Sequence, residues 1–257
     1  MKTFELSETH KDLYVMGDIH GEFGDFFFDT LTRYRIEGAT IVIAGDVGVG
    51  FEKPGYYDRV YSKYGPRLEK AQVQVLCLRG NHDDPEYFGG SLTLDYPLLK
   101  CLPDYTVLQD PDGRKVLLVG GAISIDRESR KESRKTVWWP GEAPEYLDEE
   151  GLLGLPGNGI DCVISHEAPI SFPPILTRPG QDTTGELWKD ILGSREYLDK
   201  VLWRTRPARW YYGHHHSSWS GTNGVTMYRG LGIKEIAPVF PTTSLRVYED
   251  NETEANV

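Results

Sequence analysis

The chain has 257 residues, and its 28 lysines and arginines against 39 aspartates and glutamates give a formal net charge of −11 at pH 7. Its length supports a sizeable core, and 39% hydrophobic with 26% charged residues is typical of a soluble globular protein. No apolar run approaches the roughly 18 residues of a membrane span, and residues 1–12 lack the apolar segment of a signal peptide. We therefore expect no membrane partner, and the negative charge disfavours nucleic acid unless a local patch or a bound metal reverses the field.

Short apolar runs rich in β-branched residues recur along the chain, and each ends close to a glycine or a serine. Their length and composition favour buried strands over helices. The predicted strands cover residues 13–16, 40–44, 73–78, 116–119, 162–164 and 209–212.

Helix-like stretches lie between several of these strands, at residues 23–35, 59–71 and 194–204. Strands that alternate with helices predict an α/β layered fold. The later part of the chain, residues 211–249, reads as strands with little helix between them, which favours a second and more antiparallel sheet.

The chain contains no internal repeat and no linker rich in glycine, serine or proline. We therefore predict a single domain over residues 1–248, with an inserted charged and aromatic segment near residues 124–145. Residues 249–257 lose apolar character and are predicted to form a disordered tail.

The three cysteines indicate the redox compartment. Their number is odd, and Cys77 and Cys162 lie inside apolar runs, whereas Cys101 lies elsewhere. Free buried thiols are therefore expected rather than disulfides, and this predicts a cytoplasmic location.

Polar residues with ligand chemistry follow five of the predicted strands directly. Six of the seven histidines lie in these positions, and only His10 lies elsewhere. In open α/β sheets, ligands bind beyond the carboxyl ends of the strands, so these residues are predicted to meet at one place. They are Asp18, His20, Asp46, Asn81, His82, His166, His214, His215 and His216.

The spacing and the chemistry of these residues indicate a metal centre. Residues two apart in an extended segment point the same way, so Asp18 and His20 can reach one point, as can His214 and His216. His215 then points away, and we interpret it as a structural or surface residue. Carboxylate, amide and imidazole ligands together suit Mn, Fe or Zn, whereas a thiolate zinc site or an all-oxygen magnesium site matches poorly. About seven candidate ligands are too many for one tetrahedral ion, and they fit two divalent ions that share one carboxylate.

Five motifs occur in a fixed order: GDIHG at 17–21, GD at 45–46, GNHD at 80–83, SH at 165–166 and GHHH at 213–216. Together they resemble the calcineurin-like metallophosphoesterase family, whose pattern is GDxH, GD, GNH[DE], a histidine after a small residue, and GHxH. The matching region covers most of the chain, and five ordered motifs that each follow a predicted strand are a specific signal. The resemblance implies a two-sheet β-sandwich flanked by helices, the αββα arrangement within the α/β class.

The resemblance also implies a role for each motif residue. His82 matches the catalytic histidine that lies near the leaving group and donates or stabilises a proton. Asp46 would bridge two divalent ions. The first ion would be held by Asp18, His20 and His216, and the second by Asn81, His166 and His214.

The reaction that this centre implies is hydrolysis of a phosphate monoester or diester. Two divalent ions clamp the phosphoryl group, and a hydroxide that bridges them attacks the phosphorus. The two ions outweigh the charge of Asp18 and Asp46, so the centre stays positive although the chain is strongly negative.

The second motif departs from the pattern of the Ser/Thr protein phosphatases. Those enzymes continue it as GDxVDRG, whereas residues 45–51 read GDVGVGF. The phosphate-clamping arginine and the usual partner of the motif histidine are therefore absent, which disfavours a close protein-phosphatase assignment. Either Asp83 or Asp84 orients His82 instead, or they cap a short helix that begins at Pro85.

The segment 120–142 is the candidate for substrate recognition. Arginine forks bind phosphate oxygens and tryptophan faces stack on bases, so a nucleotide substrate is compatible with it. Arg127 and Arg130 lie nearest the strand end and are the predicted substrate-binding residues. The alternative is a solvated charged helix with the tryptophans in the core. The segment also carries Lys131, Arg134, Lys135, Trp138 and Trp139.

Two other functions stay open at the level of sequence. A nuclease or RNA-processing phosphodiesterase would use the same centre, although the charge of −11 disfavours a polynucleotide. A non-catalytic binding or scaffold protein would keep the fold without turnover, although the complete ligand set argues against it.

Overall fold

The computed structural model describes residues 1–53, 55–133, 138–172 and 184–240. The predicted tail at 249–257 and the last predicted strand segment, 243–249, lie outside the described residues, as do Arg134 and Lys135. Within the described ranges, none of the helices combines the length and the apolar composition that crossing a bilayer requires.

Short strands account for most of the regular structure. All six strands predicted from the sequence are present, with bounds that differ from the prediction by one or two residues at most. The strands are β1 (Thr3–Glu5), β2 (Asp12–Met16), β3 (Ala39–Ile43), β4 (Val73–Cys77), β5 (Asp95–Tyr96), β6 (Leu99–Cys101), β7 (Val107–Gln109), β8 (Lys115–Val119), β9 (Cys162–Ser165), β10 (Arg209–Tyr212), β11 (Trp219–Thr222), β12 (Met227–Gly230) and β13 (Ile236–Pro238).

The three predicted helices are also present, and two of them begin earlier than predicted. The first consists of an α-helix that continues as one π-helical turn, Asp29–Arg33. Short 3₁₀ turns occur at Glu8–His10 and Pro85–Tyr87. The α-helices are α1 (Phe23–Phe28), α2 (Tyr56–Ala71), α3 (Arg127–Glu132), α4 (Glu149–Gly154) and α5 (Glu186–Thr205).

The strands form two sheets within the described residues. One has six strands in the order β13-β2-β3-β4-β6-β5, and the other has seven in the order β1-β7-β8-β9-β10-β12-β11. The central run β2-β3-β4-β6 is parallel, and so is the run β8-β9-β10-β12. Parallel neighbours bring their carboxyl ends to one edge, and the motif loops all leave from such ends.

Alternation along each central strand sends side chains into two different cores. In β2, Leu13 and Val15 belong to the core between the two sheets, which also contains Leu118 of β8. Tyr14 and Met16 face the opposite way, into the core that α1 and α2 cover. Because both faces of these strands are buried, the sequence shows continuous apolar runs rather than alternation.

A third core lies on the outer face of the seven-stranded sheet. There, Leu198 and Val201 of α5 pack against Val163 of β9 and Trp210 of β10. The layers therefore run helix, sheet, sheet, helix, and the expectation of a two-sheet sandwich flanked by helices is confirmed.

The expectation for the late strands needs correction. Strands β11 and β12 are an antiparallel pair, but they join the seven-stranded sheet through a parallel pairing of β12 with β10, while β13 joins the other sheet beside β2. They therefore form no separate sheet. The local pattern shows that a segment is a strand, but the choice of sheet depends on contacts with strands far away in the sequence.

Candidate metal centre

The candidate centre lies where loops from both sheets meet. The motifs after β2, β3 and β4 come from the six-stranded sheet, and those after β9 and β10 come from the seven-stranded sheet. The loops approach so closely that a Cβ on Gly45 would overlap the ring of His166, and one on Gly80 would overlap Asp46. Gly45 also has a φ of +89°, a backbone angle that residues with a side chain rarely adopt. The glycines of the motifs therefore make room for the ligands.

Four side chains converge as a first group of donor atoms. The ligand atoms of Asp18, His20, Asp46 and His216 all lie within 4.8 Å of one another. Asp18 Oδ2 lies 3.0 Å from His216 Nε2 and 3.5 Å from His20 Nε2. His20 Nε2 is buried, and no described residue forms a hydrogen bond with it. A buried nitrogen beside two carboxylates, with no hydrogen bond, is the arrangement expected of a metal ligand.

Asn81 and His166 form a second group on the other side of Asp46. His166 Nε2 lies 2.9 Å from Asn81 Oδ1 and 3.3 Å from Asp46 Oδ1. His166 Nδ1 lies 2.8 Å from the carbonyl oxygen of Ala44, which can only accept, so we assign the proton to Nδ1. The lone pair of Nε2 then points at two further acceptors, and a cation between them fits this donor set.

The charge around His166 supports the same conclusion. Burial favours the neutral ring, but the charge and hydrogen bond of Asp46, the charge of Asp18 and the Ala44 carbonyl together outweigh it and raise the pKa of His166 to about 10. When no metal ion is bound, a proton on His166 supplies part of the positive charge that the ion would otherwise provide. The surroundings of His166 therefore favour positive charge at this position.

His214 lies beside this second group. Its ring centroid is 5.0 Å from that of His166, and its backbone N–H donates to Asp18 Oδ1 over 3.0 Å. Burial lowers the pKa of His214 to about 3. A neutral ring keeps a lone pair available, so His214 can serve as a ligand near neutral pH.

Asp46 connects the two groups through its two carboxylate oxygens. Oδ1 lies 3.3 Å from His166 Nε2, whereas Oδ2 lies 3.6 Å from His20 Nε2. The side chain is almost fully buried, which opposes ionisation, but the charge and hydrogen bond of His166 together with the charges of His82 and His214 outweigh burial and lower the pKa of Asp46. The geometry suits a carboxylate that is shared by two ions.

His82 sits at the edge of the centre. Its Nε2 lies 3.7 Å from Asp46 Oδ2 and 3.4 Å from a terminal nitrogen of Arg130. Its backbone N–H donates to Asp46 Oδ1 over 2.9 Å, which fixes the start of the side chain. Burial lowers the pKa of His82 although Asp46 opposes the shift, so the ring is neutral near pH 7.

Asp83 and Asp84 hold backbone rather than the His82 ring. The Asp83 carboxylate accepts hydrogen bonds from the N–H groups of Gly80, Val47, Gly48 and Val49, at 2.7–3.1 Å. It therefore ties the loop of the second motif to the loop of the third. Among the described residues, neither carboxylate forms a hydrogen bond with the ring of His82.

Asp84 is a helix cap, as the capping alternative predicted. Its Oδ1 accepts a hydrogen bond of 3.0 Å from the N–H of Glu86, at the start of the 3₁₀ turn that begins at Pro85. The capping interpretation is therefore right for Asp84. It is wrong for Asp83, whose hydrogen-bond donors among the described residues are all in the two motif loops.

The two arginines of the candidate substrate segment have different surroundings. Both lie on α3, but Arg127 forms an ion pair of 2.6 Å with Asp190 of α5. Arg130 is held by Asp126 at 2.8 Å and extends to His82. Arg130 thus lies beside His82 at the edge of the centre, whereas the Arg127 guanidinium is paired with Asp190.

Glu167 is a buried carboxylate that the sequence interpretation overlooked. Its Oε1 lies 2.8 Å from His215 Nε2, and its Oε2 lies 3.6 Å from Nε2 of the candidate ligand His214. His215 is accordingly a structural residue whose side chain is only 10% exposed, and the surface alternative does not apply. A glutamate directly after a motif histidine, in an otherwise apolar stretch, is the signal that could have revealed it.

A sequence model of the calcineurin-like phosphoesterase family matches residues 12–218. The chain therefore belongs to this family, and it is a metal-dependent phosphoric ester hydrolase. Both the resemblance and the class of enzyme predicted from the motifs are confirmed.

Solved structures give more distant likenesses. The chain resembles the phosphopantetheinyl hydrolase PptH from Mycobacterium tuberculosis with 12% identity and a TM-score of 0.46, over 91% of this chain and 98% of that one. It resembles a cold-active protein-tyrosine phosphatase from a psychrophilic Shewanella species with 14% identity and a TM-score of 0.37, over 89% of this chain and 72% of that one. Among curated proteins, none matches the sequence of this chain.

Metal removal and addition test the candidate centre directly. After treatment with a chelator, Mn²⁺ at a hundred times its Kd should stabilise the folded chain by about 2.7 kcal/mol for each site that it fills, because the ion binds the folded state alone. The measurement is the rise in Tm. His20→Ala and His166→Ala should each lose part of this rise, whereas His10→Ala, whose ring contacts Ser7, should keep all of it. An unchanged Tm of the parent protein would contradict a metal centre.

Proposed function

We propose that this protein hydrolyses a phosphate monoester or diester at a centre of two divalent ions, drawn from Mn, Fe or Zn. The observation that carries this proposal is Asp46, whose two oxygens face two separate ligand groups, with His20 on one side and His166 on the other. A site for one ion would not need a fully buried carboxylate with a ligand group on each side.

The ligand sets that support two ions are those of the motifs. When bound, such ions supply the positive charge that polarises the phosphoryl group and lowers the pKa of water toward 7. We assign Asp18, His20 and His216 to one ion, and Asn81, His166 and His214 to the other, with Asp46 shared.

The charge balance of the centre favours an anionic substrate. Asp18 and Asp46 contribute two negative charges, fewer than the positive charges of two divalent ions. The centre therefore attracts phosphate although the chain as a whole carries −11. A phosphate ester is the substrate that this local charge fits.

His82 is the residue we assign to the leaving group. Its Nε2 lies at the outer edge of the centre, 3.7 Å from Asp46 Oδ2. Since burial keeps the ring neutral, it carries one N–H that can donate to the departing oxygen. It thereby stabilises the negative charge that develops on the alkoxide.

Arg130 supplies the positive group that the second motif lacks. Its guanidinium is partly buried and reaches to 3.4 Å from His82, and the ion pair with Asp126 holds it in place. A guanidinium fork in this position can bind phosphate oxygens that protrude from the centre. We infer that α3 replaces the arginine of the GDxVDRG pattern.

The location stays a prediction. All three cysteines, Cys77, Cys101 and Cys162, are free in the structure. Unpaired thiols support the reducing cytoplasm inferred from the sequence.

Turnover of two chromogenic substrates tests the proposed function. With two equivalents of Mn²⁺ bound, the protein should hydrolyse p-nitrophenyl phosphate, bis-p-nitrophenyl phosphate or both. Turnover is followed by the release of p-nitrophenolate. Turnover of neither substrate at full metal content would overturn the proposal and favour a scaffold protein, and a polynucleotide assayed at two salt concentrations tests the nuclease alternative.

A substitution at His82 tests the role of the leaving-group histidine. His82→Ala should lower kcat by about 10²- to 10⁴-fold, because the hydrogen bond from the ring to the departing oxygen is lost while the metal ligands remain. Metal content, measured by elemental analysis, should stay at the parental value. Full turnover with intact metal content would remove this role from His82.

Arg130 and Arg127 form a matched pair on one helix. Arg130→Ala should lower kcat/KM by about 10- to 100-fold through the loss of charged hydrogen bonds, and Arg130→Lys should recover part of the loss. Arg127→Ala should have the smaller effect, because its guanidinium is bonded to Asp190. Equal losses for the two alanine variants would show that Arg130 has no special place at the site.

A further inference from the structure

A chain of hydrogen bonds runs outward from the candidate ligand Asn81. The Asn81 amide Nδ2 donates to Ser124 Oγ over 2.8 Å, and the Ser124 hydroxyl donates to Glu142 Oε2 over 2.6 Å. All three side chains are buried, with exposed fractions of 1–2%. None of these contacts was foreseen from the sequence motifs.

This chain selects one of the two orientations of the Asn81 amide. A carboxylate can only accept, so the Ser124 hydroxyl proton is directed at Glu142 and the remaining lone pairs of Oγ face Asn81. The NH₂ group of Asn81 therefore faces Ser124, and its Oδ1 faces His166 at 2.9 Å. The reverse orientation would point two N–H donors at the place of a cation.

Glu142 is held firmly in position. Its carbonyl oxygen accepts from the N–H of Ala122 over 2.9 Å, and the guanidinium of Arg79 binds the carbonyl of Gly141 beside it. Arg79 is itself paired with Asp104 at 2.6 Å. Since Arg79 lies two residues before Asn81, the loop that carries Glu142 is anchored to the loop that carries the ligand.

A contribution to the stability of the fold does not explain why position 142 is a glutamate. Glu142 is 1% exposed. Burial of a carboxylate costs free energy even where hydrogen bonds compensate part of the lost hydration. A cost of this kind is typical of groups that serve a functional site.

We propose that Ser124 and Glu142 are positioning residues that hold Asn81 with its oxygen toward the second ion. The inference rests on the proposed function, because it requires a centre with two ions. Neither residue touches the substrate or the ions. They act through the orientation of a single amide group.

Metal titration of a Ser124 variant tests this role. Ser124→Ala should weaken Mn²⁺ binding at the site that contains Asn81, called the second site whichever of the two fills first, by about 10- to 100-fold, the usual effect of losing a partner of a metal ligand, and leave the other site unchanged. Binding is measured in competition with a chelator. The matched control is Ser194→Ala, because Ser194 is equally buried but donates to the Ile191 carbonyl of its own helix, and both Kd values should stay parental.

A double substitution distinguishes orientation from packing. In an Asn81→Asp background, the side chain has two oxygens and no N–H donor, so either orientation presents an oxygen to the ion. Ser124→Ala should therefore no longer change the affinity for the second ion. A merely structural role of Ser124 would produce the same loss in both backgrounds. That result, or an unchanged second Kd for the single variant, would overturn the inference.

Two variants at Glu142 give a second route if Ser124→Ala does not fold. Glu142→Gln keeps an oxygen that accepts from Ser124 and should retain the second Kd, whereas Glu142→Leu should lose it as Ser124→Ala does. Equal Kd values for the two variants would contradict the inference. If the parent protein binds fewer than two ions, the proposed function itself fails, which the same titration shows before any variant is compared.

Discussion

The attraction between buried carboxylates and positive charge is the interaction on which the rest of the site depends. Asp18 and Asp46 lie almost completely out of water, where an isolated carboxylate is costly. Histidines approach them from several directions, and the raised pKa of His166 shows how strongly the pocket favours a positive charge. Divalent metal ions can balance these carboxylates more fully than protons, because they also use the lone pairs of neutral histidines.

The need to bring buried carboxylates close to positive charge constrains the loops around the centre. Carboxylates and rings can be brought this close only if the backbone between them occupies little space, which explains Gly45 and Gly80. The loops must also be held against each other, and Asp83 does this with hydrogen bonds to backbone on both sides. Buried acids such as Glu167 and Glu142 lie on the far side of the candidate ligands from the metal site. The network of polar groups therefore extends well beyond the residues that could contact an ion.

The sequence was sufficient to predict the central strands and the candidate ligands that follow them. Strands buried on both faces produce apolar runs that are easy to recognise, and a change from such a run to Asp, Asn or His is a strong local signal. The pairing of Arg127 with Asp190 was not visible, because it joins segments 63 residues apart. Ser124 and Glu142 were missed for the same reason, since neither has a motif of its own and both matter only through Asn81.

The division of the ligands between two sheets has a consequence for how the molecule forms. Asp18 and His216, which are 198 residues apart, meet only after the strands β2 and β10 have been placed in their separate sheets and the sheets have packed together. Ions therefore cannot template the early steps of folding, since no short segment contains a complete set of ligands. A complete set of ligands therefore exists only in the assembled sandwich, and a chain whose two sheets pack incorrectly does not bring these ligands together.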